Sequence, residues 1–257
     1  MQHDINGLCE WAETWQMEFN ASKCKIVHVG RQNQDFHYFM NGYPPGGAVL
    51  EASLMEKDLG VLIHSSLKPS EQCSAAAKKG NMVLGQMARA FSYRHKDTWL
   101  KLYRIWVRPH LECCVQAWSP WTEDDISVLE SVQERAIRMT TGLRGSTYLE
   151  KLRDVKMLTL AERRARGDMI VTWKLWNSGG NSSLLIRADA FNTRDTRATA
   201  SRALVKESRV NLDIRRHFFT NRVVNPWNAL PYAVKMCDSL DAFKLAYDKY
   251  MFDFLFE

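Results

Sequence analysis

The chain has 257 residues, of which 46% are hydrophobic and 25% are charged, and its formal net charge is +6. These proportions are ordinary for a globular protein and suffice for one large domain or two modest ones. No apolar run approaches 18 residues, and no basic segment precedes an apolar stretch at the N-terminus, so the sequence predicts neither a membrane span nor a signal peptide. We therefore expect an intracellular protein, cytoplasmic or nuclear and not secreted.

The first 65 residues are predicted to form one helix and three short strands. Apolar residues at helical spacing indicate an amphipathic helix that ends near Asn20, and they are Ile5, Leu8, Trp11, Ala12, Trp15 and Phe19. Strands are predicted in CKIVHVG (24–30), in FHYFMNG (36–42) and in DLGVLI (58–63). The Asn41-Gly42 pair is a turn signal that closes the second of them.

After Pro69 the pattern becomes helical. We predict helices over 71–91, 97–111, 123–140 and from 159 onward. Pro109 is expected to end or kink the second helix, Gly142 to cap the third, and Thr159 to begin the fourth with a Thr-Leu-Ala-Glu capping box. Residues 177–183 (NSGGNSS) are typical of a linker, and an Arg-rich stretch and a final apolar helix follow it. The predicted fold class is therefore α+β, predominantly helical.

Two glycines lie inside the first of these predicted helices. Gly80 and Gly85 each lower helix stability by roughly 1 kcal/mol relative to alanine.

Charge is distributed in blocks along the chain. Residues 1–60 carry four Lys and Arg against eight Asp and Glu, a net of −4, so the remaining residues hold +10. Within these, 78–108 has eight basic residues and one acid, 112–134 has six acids and no base, and 135–174 has ten basic residues and four acids. Basic blocks of this kind fit a partner that carries phosphates. Solvated helix faces on a basic protein are the alternative, which the sequence leaves open.

The six cysteines are scattered and include no C-x-x-C motif. They do not resemble a disulfide framework, so we expect reduced, buried thiols. Cys24 and His28 lie four residues apart, as do His110 and Cys114, but no second ligand pair at zinc-finger spacing accompanies either pair. We therefore predict no metal site and no cofactor in this chain.

Seven strings of the sequence, taken in order, resemble one protein family. They are WAETWQMEFNASKCKIVHVG, MNG, EKDLGVLI, LYRIWVRPHLECCVQAWSPW, LESVQERAIRM, RRARGDMI and FFTNRVVNPWNALP. Together they resemble the C-terminal part of the reverse transcriptase of non-LTR (LINE-type, Jockey-like) retrotransposons. The resemblance covers nearly the whole chain.

The resemblance implies four regions. They are a partial palm over 1–67, a thumb-like helical region over 68–145, a basic helical region over 146–180, and an Arg-rich linker with a C-terminal helical region over 181–257. The Trp-x3-Trp segment with its downstream Asn-x2-Lys looks like the palm motif that follows the catalytic aspartates. KDLGVLI looks like the next palm motif, a hairpin that supports the primer end.

The family joins nucleotides with two metal ions held by carboxylates. Because Met1 lies only ten residues before Trp11, the resemblance implies that both carboxylate elements and the nucleotide-binding fingers would precede this chain. Mg²⁺ is then expected only for the full-length enzyme, and this chain would not polymerise by itself. Asp124 and Asp125 are expected to be acidic residues at a helix N-terminus rather than the catalytic pair.

Lys23 is the catalytic residue that the resemblance carries over to this chain. The family's motif lysine is thought to sit near the pyrophosphate of the nucleotide, as a proton donor or a positive charge. A solvated lysine at a helix-to-strand turn is the alternative.

Nucleic-acid binding depends on fewer elements than catalysis does. Lys101, Arg104 and Arg108 fall at i, i+3 and i+7 of a predicted helix, a spacing able to follow a phosphate backbone, and Trp106 falls on the opposite, apolar face. Further candidates on the helix from 159 onward point in different directions around it, and they are Arg163, Arg164 and Arg166. The expected partner is RNA, DNA or an RNA–DNA hybrid. No membrane partner is expected, and the oligomeric state is not indicated.

Two further groups of residues are weaker candidates for nucleic-acid contact. Three tryptophans suit base stacking, but each lies in an apolar string that favours core packing: Trp118, Trp121 and Trp227. Four arginines suit RNA binding from a flexible segment or are simply solvated: Arg194, Arg197, Arg202 and Arg209.

The leading hypothesis is a fragment of a retrotransposon RNA-directed DNA polymerase that retains nucleic-acid backbone binding at most. A non-catalytic interaction protein derived from a retroelement is the main alternative. A decayed remnant without a selected role is the third.

Overall fold

The computed structural model describes residues 1–30, 32–42, 45–178, 185, 202–205 and 210–256. The chain divides into two compact units, Met1–Gln72 and Cys73–Glu257. Short strands occur in the first unit and helices dominate the second, which confirms an α+β fold that is predominantly helical. The finer division into four regions stays a prediction. Among the described residues, no helix is long and apolar enough to cross a membrane.

In its described residues, the first unit contains helix α1 (Gln2–Thr14) and six short strands. The strands are β1 (Lys25–Ile26), β2 (Phe39–Met40), β3 (Ala48–Val49), β4 (Glu51–Ala52), β5 (Met55–Asp58) and β6 (Val61–His64). They pair two by two, β1 with β4 in parallel, and β2 with β3 and β5 with β6 antiparallel. The predicted strands at 24–30 and 36–42 are therefore present, each as a two-residue segment.

Residues 58–63, predicted as one strand, contain the turn of a hairpin instead. Asp58 ends β5 and pairs with Val61, which begins β6. Between them Leu59 and Gly60 have φ angles of +45° and +92°, the left-handed pair that a tight two-residue hairpin turn requires. A hairpin at this position is what the resemblance implied, whereas reading the segment as a single strand was wrong.

Helix α1 ends several residues before the predicted end near Asn20. Gln16 has a φ of +53°, its N–H donates to Glu13 O, and the N–H of Met17 donates to Ala12 O at 2.9 Å. This is the double hydrogen bond that closes a helix through a left-handed residue. The predicted apolar face is only partly covered: Ala12 is buried, while Trp15 is 66% exposed.

From α2 onward the described part of the chain is mainly helical. The helices are α2 (Ser70–Ala90), α3 (Lys96–Leu102), α4 (Arg108–Glu112), α5 (Val115–Trp118), α6 (Glu123–Arg138), α7 (Tyr148–Asp154), α8 (Leu160–Asn177), α9 (Asp213–Arg216), α10 (Phe219–Arg222), α11 (Val224–Ala229), α12 (Tyr232–Lys235) and α13 (Leu240–Phe256). A π turn over Tyr103–Val107 joins α3 to α4. The four predicted helices and the final apolar helix are thus confirmed.

Of the two predicted helix ends, one is confirmed and one is wrong. The second helix ends at Glu112, close to Pro109 as predicted, and Pro109 lies in the first turn of α4 directly after the π turn. The third helix ends at Arg138 with Met139 as its C-cap, so Gly142 does not cap it. Gly142 has a φ of +76° and lies against the His95 ring, where a Cβ would come within 2.8 Å of Nε2.

Capping boxes begin two consecutive helices of the second unit. The Thr159 side chain accepts from the N–H of Glu162 and the Glu162 carboxylate accepts from the N–H of Thr159, as predicted. The same reciprocal pair, Thr147 with Glu150, begins α7, which the sequence did not predict. These caps fix where the two helices start.

An aromatic cluster forms a core where α8, α11 and α13 pack. Trp227 and Phe243 are fully buried, and Trp176 stacks on Trp227 with ring centroids 6.2 Å apart. Trp173 stacks on Phe243 at 5.8 Å. This core fixes the position of α13 against α8, and both helices contribute to the site described next.

Candidate nucleic-acid interface

Five cationic side chains surround one pocket of the second unit. The pocket has a volume of about 470 Å³ and is lined by Arg104, Arg108, Lys156, Met157, Leu158, Arg163, Arg166 and Asp248. We call it the basic pocket. Two carboxylates offset part of this positive charge: Asp248 lines the pocket, and Glu112 lies next to Arg108 and Arg163. The five cations and two carboxylates together give the pocket a formal net charge of +3.

Separate elements bring these cations together. Arg104 lies in the π turn and Arg108 begins α4, and the N–H of Arg108 donates to Tyr103 O five residues earlier. This wider turn keeps residues four apart on nearly the same side of the helix. Arg163 and Arg166 are one turn apart on α8. Lys156 comes from the loop between α7 and α8, where its φ is +50°.

Two of the arginines are fixed by carboxylates. Arg163 forms two hydrogen bonds with Glu112, and Nη2 lies 2.9 Å from Oε2. Arg166 forms two with Asp248 of α13, with 2.8 Å between Nη2 and Oδ2, and this raises the pKa of Arg166. Such paired bonds hold a guanidinium plane in one orientation. The charges of Arg163 and Arg166 are therefore largely neutralised, and these two side chains mainly form the walls of the pocket.

Among the described residues, the other three cations of the basic pocket lack a close carboxylate partner. Within the described part of the chain, Arg104 and Lys156 have no carboxylate partner. Arg108 lies 3.8 Å from Glu112, beyond good hydrogen-bond distance. Burial lowers the pKa of Arg108, and the nearby Arg163 lowers it further. Arg104, Arg108 and Lys156 thus supply most of the uncompensated positive charge.

Two predicted binding residues do not join this pocket. Lys101 is exposed on α3 but does not line it. Arg164 is only 4% exposed and lines a separate, mostly apolar pocket with Asp168 and Arg222. Its position, one residue from Arg163 on the helix, turns it toward the core. Of the predicted binding residues, the basic pocket therefore brings together Arg104, Arg108, Arg163 and Arg166, and it adds Lys156.

The aromatic candidates divide into core and surface. Trp118 and Trp227 are buried, which confirms core packing for both. Trp121 is partly buried and stacks on His217 with centroids 5.5 Å apart. Trp106, placed on the apolar face by periodicity, is 60% exposed, since the π turn shifts the side-chain register by one residue.

Arg202 has a structural role among the C-terminal arginines. Its Nη1 donates to Lys235 O at 2.9 Å and to Asn177 Oδ1 at 3.1 Å, and its carbonyl accepts from Trp227 Nε1. The remaining members of that group, Arg194, Arg197 and Arg209, lie outside the described residues.

The residues considered for catalysis are ordinary in their surroundings. Lys23 is exposed at the end of a short 3-10 turn, which Asn20 caps by accepting from the N–H of Ser22. Its role stays a prediction. Asp124 and Asp125 lie in the first turn of α6, where Thr122 accepts from the N–H of Asp125, which confirms their place at a helix N-terminus.

The cysteines are all free, but not all are buried as predicted. Cys9 and Cys73 are buried, whereas Cys113 and Cys114 are exposed. Among the described residues, no three His, Cys, Asp or Glu side chains converge as a metal site. No protein-family model, curated protein or solved structure matches this chain.

Proposed function

We propose that this chain binds the phosphate backbone of RNA, DNA or an RNA–DNA hybrid through the basic pocket, as a C-terminal fragment of a non-LTR retrotransposon reverse transcriptase. The observation that carries the binding proposal is the convergence of five cations from the π turn, α4, α8 and a loop on one pocket of net charge +3. The assignment to the reverse transcriptase rests on the seven sequence strings alone.

A negatively charged ligand is the partner that this arrangement favours. A concave site with excess positive charge attracts anions and raises their local concentration. Guanidinium groups match the geometry of phosphate oxygens, and lysine supplies a compact charge. We assign direct phosphate contact to Arg104, Arg108 and Lys156, because none of the three forms a close ion pair with a carboxylate in the described residues.

The proposed contacts reach phosphate and not base edges, so they carry no sequence preference. The chain should therefore bind RNA, DNA and hybrid duplexes of equal length with similar affinities. Each neutralised phosphate releases condensed counterions, so the affinity should fall linearly with salt on a double logarithmic plot.

The test is fluorescence anisotropy of a labelled RNA–DNA hybrid, titrated with the full chain at several salt concentrations. Arg104→Ala, Arg108→Ala and Lys156→Ala are each expected to reduce the salt slope by about one. Arg89→Ala, which removes an exposed arginine of α2 outside the pocket, is the matched control and should leave the slope unchanged. Salt-independent binding, or an equal loss of slope in Arg89→Ala, would contradict the proposal.

A further inference from the structure

Two adjacent thiols lie side by side in the turn between α4 and α5. The Sγ atoms of Cys113 and Cys114 are 3.7 Å apart and both residues are exposed. Cys113 has an extended backbone, whereas Cys114 is left-handed with φ +54° and ψ +24°. This change of backbone direction places two successive side chains on the same side of the turn.

Hydrogen bonds on both sides hold this turn in place. The N–H of Cys113 donates to Pro109 O at 3.0 Å, and the Cys113 carbonyl accepts from Trp118 Nε1 at 2.8 Å. The Cys114 carbonyl accepts from the N–H of Ala117 at 2.9 Å. Trp118 is buried, so the turn is tied to the core of the unit. The thiol pair is therefore held in position before any ligand arrives.

The geometry suits a bridging atom better than a direct disulfide. An S–S bond requires about 2.05 Å between the sulfurs and Cα atoms at least about 4.4 Å apart, but neighbouring Cα atoms across a trans peptide are about 3.8 Å apart. Oxidation would have to distort the peptide between the two cysteines. An atom inserted between the sulfurs spans the 3.7 Å gap with little movement of the backbone.

We propose that Cys113 and Cys114 form a two-thiol binding site for trivalent organoarsenic compounds, which take two sulfur ligands beside their own carbon substituent. With an arsine oxide R–As=O, two As–S bonds form and the As=O bond is lost. The oxygen leaves as water with the two thiol protons, and arsenic stays in the +3 state. The hydrogen bond that the Cys113 thiol shares with the Cys114 sulfur raises the pKa of Cys113, in keeping with a protonated, uncharged pair that releases both protons in this step.

The other four cysteines are all at least partly buried. Cys9 and Cys73 are buried, and Cys24 and Cys237 are partly buried at separate positions. A single thiol forms one As–S bond, which an excess of another monothiol displaces. Two tethered thiols resist such displacement, because the second bond forms at a high effective concentration.

The test uses the reduced full chain with one equivalent of phenylarsine oxide, followed by excess 2-mercaptoethanol and intact-mass measurement. The wild-type chain is expected to keep one phenylarsenic group in the monothiol and to lose it to the dithiol 2,3-dimercaptopropanol. Cys113→Ser and Cys114→Ser should each retain at least about tenfold less adduct in the monothiol, since each leaves one thiol.

Cys237→Ser, which removes a thiol elsewhere in the same unit, is the matched control and should retain the adduct as the wild-type chain does. The inference is overturned if either serine variant keeps the adduct as well as the wild type does. It is overturned as well if excess 2-mercaptoethanol removes the phenylarsenic group from the wild-type chain. The result is independent of nucleic-acid binding.

Discussion

Arg163 donates two hydrogen bonds to Glu112, a carboxylate 51 positions earlier in the chain. The pair joins α8 to α4, and Glu112 also lies 3.8 Å from Arg108. One carboxylate therefore faces two of the five cations of the basic pocket. It stabilises the packing of the two helices and at the same time lowers the positive charge that a phosphate would meet.

Replacing Glu112 by glutamine should strengthen nucleic-acid binding and weaken the packing of the two helices. Glu112→Gln should bind the hybrid several-fold more tightly at low salt, since removing one charge near the phosphate is worth on the order of 1 kcal/mol. It should also lower the free energy of unfolding by about 1–2 kcal/mol, because Arg163 loses its charged acceptor. Anisotropy and urea denaturation measure the two quantities.

The control for that variant is Glu134→Gln, which makes the same change at a half-buried glutamate whose contact with Arg138 is 3.9 Å long. It should alter neither binding nor stability appreciably. If Glu112→Gln binds no more tightly than Glu134→Gln, the basic pocket is not where the phosphates lie.

The two glycines of α2 should respond oppositely to alanine. A Cβ at Gly80 would lie 2.9 Å from Leu111 Cδ2 and 3.3 Å from Val132 Cγ1, whereas a Cβ at Gly85 would meet nothing within 4 Å. Leu111 and Val132 are fully buried and have little room to move. Gly85→Ala should therefore raise the free energy of unfolding by about 0.5–1 kcal/mol, and Gly80→Ala should lower it by about 1–3 kcal/mol.

Thermal or urea denaturation of the two single variants checks this prediction, and each variant serves as the control for the other. Equal stabilisation by both alanines would show that α2 does not approach α4 and α6 closely at Gly80.

The glycines also show what the sequence can and cannot predict in this fold. Periodicity predicted the long helices, and the Thr159 capping box predicted the start of α8, because both signals lie within one segment. Whether Gly80 is a weak point or a close contact depends on Leu111 and Val132, which come from two other helices. No local pattern contains that information.

The same limit applies to the basic pocket. Arg163 and Arg166 are i and i+3 on α8 and line one pocket, so the prediction that the three arginines point in different directions is wrong for this pair, although it holds for Arg164. Lys156 lies in a loop with a left-handed backbone, and Asp248 is 82 positions from Arg166, so neither was predicted. The exposed Trp106 was missed because a π turn has no recognised sequence signature.

Arg164 is expected to act through packing and not through ligand binding. Its Nη1 is buried without a hydrogen-bond partner among the described residues, and nearby acidic groups, Glu130 foremost, offset its charge. Arg164→Met keeps most of the side-chain volume, whereas Arg164→Ala leaves a cavity. Arg164→Ala should therefore be less stable than Arg164→Met by about 2 kcal/mol.

Urea denaturation measures that difference, and the salt slope of hybrid binding is the second readout. Arg164→Met should keep the wild-type slope, because Arg164 does not line the basic pocket. Equal destabilisation by both substitutions would show that the charge of Arg164 matters more than its volume.

Glu130 should make the stability of the second unit depend on pH. Its carboxylate accepts from Tyr148 Oη and from the N–H of Leu160 at 3.0 Å, yet burial outweighs these bonds and raises its pKa above the ordinary 4.5. A folded-state pKa above the unfolded value means that the folded chain binds the proton more tightly. The stabilising contribution is complete below about pH 4.5 and is lost as the pH rises through the folded-state pKa.

Glu130→Gln removes this titration and keeps an oxygen for the N–H of Leu160. The unfolding free energy of the wild type minus that of Glu130→Gln should therefore fall as the pH rises from about 4.5 through the raised pKa, and then level off. Urea denaturation at several pH values measures it, with Glu134→Gln at a half-buried position of α6 as a variant that should parallel the wild type. A difference that is constant, or that grows with pH, would mean that Glu130 is not protonated more readily in the folded chain.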